Sequence, residues 1–144
     1  MSFARLNRDG ILTRRRRILI NGEPNVWKTT VALTAPKPIG ILSLPGEMGY
    51  DSIPHSNPEI LPFIWETGEK AVDSSQVVSD VIKTSMDLIS GKHGPITTFI
   101  GDGIHKLFDY MMDDVTDGAW FAAQDFEPKV YALGYRRFED YLSR

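Results

Sequence analysis

Residues 17–33 run Arg-Ile-Leu-Ile-Asn-Gly-Glu-Pro-Asn-Val-Trp-Lys-Thr-Thr-Val-Ala-Leu. Ile18, Leu19 and Ile20 form a short apolar run of the kind that parallel sheets bury, and they predict a strand over 17–21. A tight loop follows, then a helix over 28–34 that Ala35-Pro36-Lys37-Pro38 stops, because proline cannot continue the helical ladder. The loop matches the phosphate-binding pattern of Gly, four residues, Gly-Lys and Ser or Thr at every position but one. Gly22 opens it, Lys28 and Thr29 close it at the correct spacing, and Trp27 stands where the pattern has glycine.

Each part of such a loop has a physical task. Backbone N–H groups from Gly22, Glu23, Pro24, Asn25, Val26 and Trp27 onward would wrap phosphate, save at the proline, which has no N–H. The Lys28 ammonium would reach the β- and γ-phosphates, and the Thr29 hydroxyl, followed by Thr30, would face a Mg²⁺ ion that keeps most of its shell as water and phosphate oxygen. Glycine at the sixth position lets backbone and phosphate approach closely, so the Trp27 indole must point away from a nucleotide or exclude it. The competing reading of Lys28-Thr29-Thr30 is an ordinary helix start with threonine as cap.

Further along, Ile39 to Leu44 predicts a second strand, ending in the glycine-punctuated turn Pro45 to Asp51. Glu47 lies just past that strand, on the edge where open α/β sheets bind ligands, and a carboxylate there can orient an attacking water; the plain alternative is a solvated loop glutamate. Leu61 to Trp65 predicts a third strand, which Pro62 places near a sheet edge. Asp73-Ser74-Ser75-Gln76 resembles a capping box, and Val77, Val78, Val81, Ile82, Leu88 and Ile89 fall on one face of a helix over 74–90. Pro95 to Asp102 predicts a fourth strand capped by an acid. In that position, downstream of a phosphate loop, an aspartate holds Mg²⁺ opposite the loop threonine; a helix cap is the other reading. Gly101 is an unusual strand residue.

A helix over 104–115 follows, with Asp113 and Asp114 as a solvated end, then a loop over 118–128 that Trp120, Phe121 and Phe126 pin to a core. A helical pattern resumes over 130–142, with Arg136 and Arg137 read as solvated. Strands alternating with helices predict an α/β fold, a mostly parallel sheet flanked by helices, within one domain over 1–144 whose first 13 residues are a loose lead-in. A chain of 144 residues can bury a real core. The absence of cysteine excludes disulfides and thiolate metal sites and fits a cytoplasmic setting. No apolar run approaches membrane-spanning length, so no membrane association is expected. A net charge of −3 leaves any nucleic-acid surface local, and Arg14-Arg15-Arg16-Arg17 is the one candidate run; a solvated strand entrance is its alternative.

Taken together, Ile18 to Thr30, Ala35-Pro36-Lys37-Pro38, Gly46-Glu47 with Tyr50-Asp51, and Thr98 to Asp102 resemble the phage-encoded RecA-like P-loop ATPases, AAA-type NTP-binding proteins linked to single-strand annealing recombination. The resemblance covers residues 17 to about 110. It implies a RecA-like P-loop NTPase core, ATP with Mg²⁺, and the host cytoplasm. It also implies single-stranded DNA or a single-strand-binding protein as partner, and a homo-oligomer. By position it gives Lys28 and Thr29 to phosphate and Mg²⁺, Asp102 to the metal as the Walker B acid, and Glu47 to water activation. The chain departs from the family at Trp27 and Gly101, and it ends where the family continues with further strands, so the core is expected to be C-terminally incomplete. Two other functions fit the residues. One is a nucleotide-silent relative serving as an assembly or interaction subunit, with Trp27 as its anchor. The other is nucleic-acid binding through Arg14–Arg17.

Overall fold

A computed structural model of the chain describes residues 17–23, 27–44, 57–64, 73–122 and 126–144. Within them lie three parallel strands, β1 (Ile39–Ser43), β2 (Ile60–Ile64) and β3 (Thr98–Asp102), and four helices, α1 (Lys28–Ala32), α2 (Ser74–Ile89), α3 (Ile104–Val115) and α4 (Pro128–Ser143). The sheet order is β2-β1-β3. Register is strict: Ile39 lies opposite Ile60 and Thr98, and Ser43 lies opposite Ile64 and Asp102. The protein is therefore α/β, a parallel sheet flanked by helices.

β1 is central because it is apolar on both faces, and all five of its residues are buried. One face packs Leu42 and Leu44 against Val77, Val78, Val81 and Leu88 of α2 and Leu107 and Met111 of α3. The other face packs Ile41 and Ile60 with Ile100 and with Leu33, just past α1. Packing at Gly40 is tight: a Cβ there would lie 3.1 Å from Ile96 Cδ1 and 3.3 Å from Leu88 Cδ2. β2, with Pro62 in its middle, takes an edge, where a missing N–H costs no ladder bond. Helix α4 sits on α3 through Gly134, where a Cβ would run into the Met112 side chain.

The apolar run at 18–20 does not form the expected strand. Residues 17–22 have no regular structure, and Ile18 and Leu19 are 81% and 79% exposed. Among the described residues no strand pairs with the outer edge of β3, and a strand is stabilised by cross-strand partners rather than by its own propensity. The helix after the loop is also shorter than its pattern suggests. It ends at Ala32, where the helical bond from Leu33 N–H to Thr29 O gives way to tighter turns closed by Thr34 N–H to Val31 O and Ala35 N–H to Ala32 O. The Pro36–Pro38 turn is then tied to the start of β3 by Thr98 Oγ1 donating to Pro36 O at 2.7 Å.

Several side chains differ from their sequence reading. Asp113 is not solvated: it is 9% exposed, and its Oδ2 accepts from Ser74 Oγ. Asp114 accepts from Arg137, so that arginine is paired rather than merely solvated. The capping box is half formed. Asp73 Oδ1 accepts from Ser75 N, but Gln76 Nε2 turns away to Asp80 Oδ2. Ile89 lies at the exposed rim of its helix. Trp120 and Phe126 do anchor their loop, stacked on each other, with the Trp120 ring edge-on to Phe108 and its Nε1 donating to Asp109.

Candidate functional site

The C-terminal end of β3 carries Asp102, and Gly103 then turns the chain into α3 with φ 78°, a left-handed conformation that glycine adopts without steric cost. β3 continues through Gly101 in register with Leu42, and a Cβ at 101 would only touch Ile104 Cδ1 at 3.5 Å, so the glycine does not break the strand beneath Asp102. On the same side of the sheet as Leu33, α1 presents Thr29. Its Oγ1 donates to Asp102 Oδ2 at 3.3 Å, joining residues 73 apart in sequence. These are the two residues that the sequence reading set opposite each other across a metal.

Lys28 closes the loop on itself. Its Nζ donates to Gly22 O at 2.8 Å and to Glu23 O at 2.6 Å. Both acceptors are exposed carbonyls, partners that a phosphate oxygen outcompetes because a charged acceptor makes the stronger bond to an ammonium. Gly22 N donates to the Asn21 side chain at 2.9 Å.

Trp27 precedes α1 with φ 62° and ψ 20°. This is left-handed backbone, which costs a residue with a Cβ about 1–2 kcal/mol and costs glycine little. Tryptophan thus occupies left-handed backbone at the position where the pattern has glycine. The indole is 75% exposed. It makes no cap, and α1 begins with no side-chain hydrogen bond at its N-terminus.

Thr30 is exposed on α1. Pro24, Asn25, Val26 and Glu47 lie outside the described residues, as do Arg14, Arg15 and Arg16. Arg17 is described: its guanidinium donates to Ser143 O at 3.0 Å, at the end of α4. Among the described residues no three acidic, histidine or cysteine side chains converge on one point. A small crevice of about 90 Å³, lined by the apolar Leu42, Phe63, Ile64 and Val81 and by Ser43, Asp80 and Thr84, opens beneath α2. Neither Thr29 nor Asp102 lines it, although Ser43, the register partner of Asp102, does.

Sequence reasoning missed Ser43. It closes the otherwise apolar run of β1, is 1% exposed, and is the register partner of Asp102. Its Oγ has no hydrogen-bond partner among the described residues. The signal was available as the one hydroxyl at the end of Ile-Gly-Ile-Leu, but it gains meaning only once the register is known. None of the described helices is long and apolar enough to cross a membrane.

No protein-family model, curated protein or solved structure matches this chain.

Proposed function

We propose that the 22–30 loop binds ATP with Mg²⁺, as part of a RecA-like P-loop protein of phage DNA recombination or replication. The observation that supports this reading is the hydrogen bond from Thr29 to Asp102. A hydroxyl at the start of the post-loop helix and a carboxylate at the end of a parallel strand are the two protein groups such a site needs. One carboxylate and one hydroxyl suit a hard cation that keeps its other positions for water and phosphate oxygen. When bound, Mg²⁺ would neutralise phosphate charge. Lys28 would exchange its two carbonyls for phosphate oxygens, Thr29 would offer the cation an oxygen lone pair while its proton stays with Asp102, and Asp102 would help to hold the cation. Glu47 remains the candidate for orienting water, which makes ATP hydrolysis part of the proposal. Single-stranded DNA or a single-strand-binding protein as partner, and a homo-oligomeric state, come from the resemblance alone.

A second reading has its own observation. Trp27 is held in left-handed backbone with its indole exposed, as an anchor for another protein would be. In that reading the loop is nucleotide-silent and the chain is an assembly subunit. Calorimetric titration of ATP–Mg²⁺ into the chain and into Trp27→Gly separates the two. Binding by both is the expected result, since the left-handed backbone at 27 is one that glycine also adopts and the indole is exposed. Binding by the variant alone selects the second reading, and binding by neither overturns the first.

A further inference from the structure

We propose that the crevice beneath α2 binds a small organic cation, an alkylammonium or alkylguanidinium of about five non-hydrogen atoms, with Asp80 as its counter-ion. The inference stands apart from the nucleotide reading, because neither Thr29 nor Asp102 lines the crevice.

The floor of the crevice is the end of two neighbouring strands, where Leu42 lies opposite Phe63 and Ser43 lies opposite Ile64. Open parallel sheets bind ligands outside this C-terminal end of their strands. Helix α2 makes the wall. Asp80 and Thr84 are four residues apart and share a helix face, and Val81 beside Asp80 is buried in the core. The Phe63 ring is held by the His93 ring, tilted against it with centroids 4.8 Å apart. Ile64, 42% exposed, lies toward solvent. The space is small. An apolar cavity of about 150 Å³ takes benzene, so the 90 Å³ here has room for a chain of about four carbon atoms, with a polar head left at the open side.

The charge of the crevice decides what fits. Asp80 is the one ionisable residue in its lining. The residue is half-buried, and its carboxylate accepts from Gln76 Nε2 at 2.8 Å, a neutral donor that leaves the charge uncompensated. Among the described residues the ion pairs lie elsewhere. A carboxylate has about four acceptor positions, so Asp80 has room for further donors. An anion is repelled by it. A neutral apolar guest gains contacts with Leu42, Phe63 and Val81, but it strips water from Asp80 and returns nothing. An alkylammonium satisfies both parts: its hydrocarbon body lies on the apolar walls, and its N–H groups donate to the carboxylate and to the Thr84 hydroxyl. Beside apolar walls the attraction between opposite charges is stronger than on open surface, because the effective dielectric is lower.

The test is an NMR titration of the backbone amides with n-butylammonium, n-butanol and butyrate, at constant ionic strength and without nucleotide. Butylammonium is expected to give saturable shifts confined to Leu42, Ser43, Phe63, Ile64 and Asp80 to Thr84, with half-saturation in the millimolar range that so small a ligand allows. Butanol has the same body without the charge and is expected to bind about fivefold or more weakly. Butyrate is expected not to bind. Asp80→Asn keeps the shape and an acceptor for Gln76, and it is expected to bind butylammonium no better than butanol. Thr84→Lys places an ammonium four residues after Asp80 and is expected to displace the probe. The dispersion of the same spectra shows whether each variant is folded, and if Asp80→Asn is not, Thr84→Lys and the butanol comparison decide. No saturable shift by about 50 mM butylammonium overturns the inference. Equal binding of butanol and butylammonium overturns it too. So does a response to butylammonium that Asp80→Asn leaves unchanged, which is what diffuse attraction to surface carboxylates would give. ATP takes no part in these titrations, so their failure leaves the nucleotide reading untouched, and failure of that reading leaves this one standing.

Discussion

Thr29 and Asp102 meet at 3.3 Å, yet they reach that point from scaffolds of different strength. Asp102 ends a strand paired in register with a fully buried neighbour, and it leads into a 12-residue helix whose Leu107, Met111 and Met112 are buried. Thr29 sits on a five-residue helix with no buried residue, preceded by an apolar run that faces water. Isolated helices that short are not stable on their own. One half of the site is therefore fixed by the fold. Among the described residues the other is held by a few contacts: Lys28 on two carbonyls, Thr29 on Asp102, and the apolar packing of Leu33 against Ile41. Local opening draws on segments with few apolar contacts, so the loop side is the part that a ligand would order.

The largest effect that would break this contrast is in the core. Leu107→Ala is expected to lower the unfolding free energy by about 3 kcal/mol, within the range for a fully buried leucine. Leu19→Ala, at a side chain 79% exposed, is expected to stay within about 0.5 kcal/mol of wild type. Urea unfolding measures both. A comparable loss at Leu19 would mean that the N-terminal run is packed in solution, as the strand reading expected.

The helix starts sharpen the same contrast at a smaller scale. α2 is capped by Asp73, whose carboxylate accepts from Ser75 N at 3.1 Å, whereas α1 begins at a left-handed tryptophan with no cap bond. Asp73→Ala is expected to cost about 1 kcal/mol. Trp27→Gly is expected to raise stability by about 0.5–1 kcal/mol, the left-handed penalty of a bulky residue less the extra chain entropy of glycine. Thermal melts of the two variants should move in opposite directions. A destabilised Trp27→Gly would show that the indole makes contacts that its exposure does not suggest.

The sequence made much of the better-built half legible. Alternation and punctuation placed β1, β2 and β3 within a few residues, and the helix at 104–115 matched its pattern at both ends. These elements carry their own signals, an apolar run between turn residues or a stripe at helical spacing. The expected strand at 17–21 failed because Ile18-Leu19-Ile20 supplies propensity, while a strand also needs a neighbour with a free edge in register. Lys28, Thr29 and Asp102 were legible as a motif, and the structure brings Thr29 and Asp102 together. Ser43 and the buried Asp113 were not. Each takes its meaning from a residue far away in sequence, Asp102 for one and Ser74 for the other, and pattern reading sees only neighbours.

The last effect is read in its pH dependence and concerns how α4 is held on the well-built half. The Tyr141 hydroxyl lies 2.9 Å from Ser85 Oγ, tying the end of α4 to the middle of α2. Burial raises the Tyr141 pKa above its ordinary 10.0, and the hydrogen bond to Ser85 opposes that only in part. The folded chain therefore keeps this proton to a higher pH than the unfolded chain does. Its contribution is fully present below about pH 10, and it is lost as pH rises through the higher folded value. Urea unfolding of the wild type is thus expected to show stability falling above pH 10. Tyr141→Phe should fall less steeply there, while losing about 1 kcal/mol at neutral pH with its hydrogen bond. Some slope will remain in the variant, because burial and the neighbouring Asp109 also raise Tyr110 on α3. A Tyr141→Phe profile parallel to wild type would place the alkaline loss elsewhere and remove Tyr141 as the tie between α4 and α2.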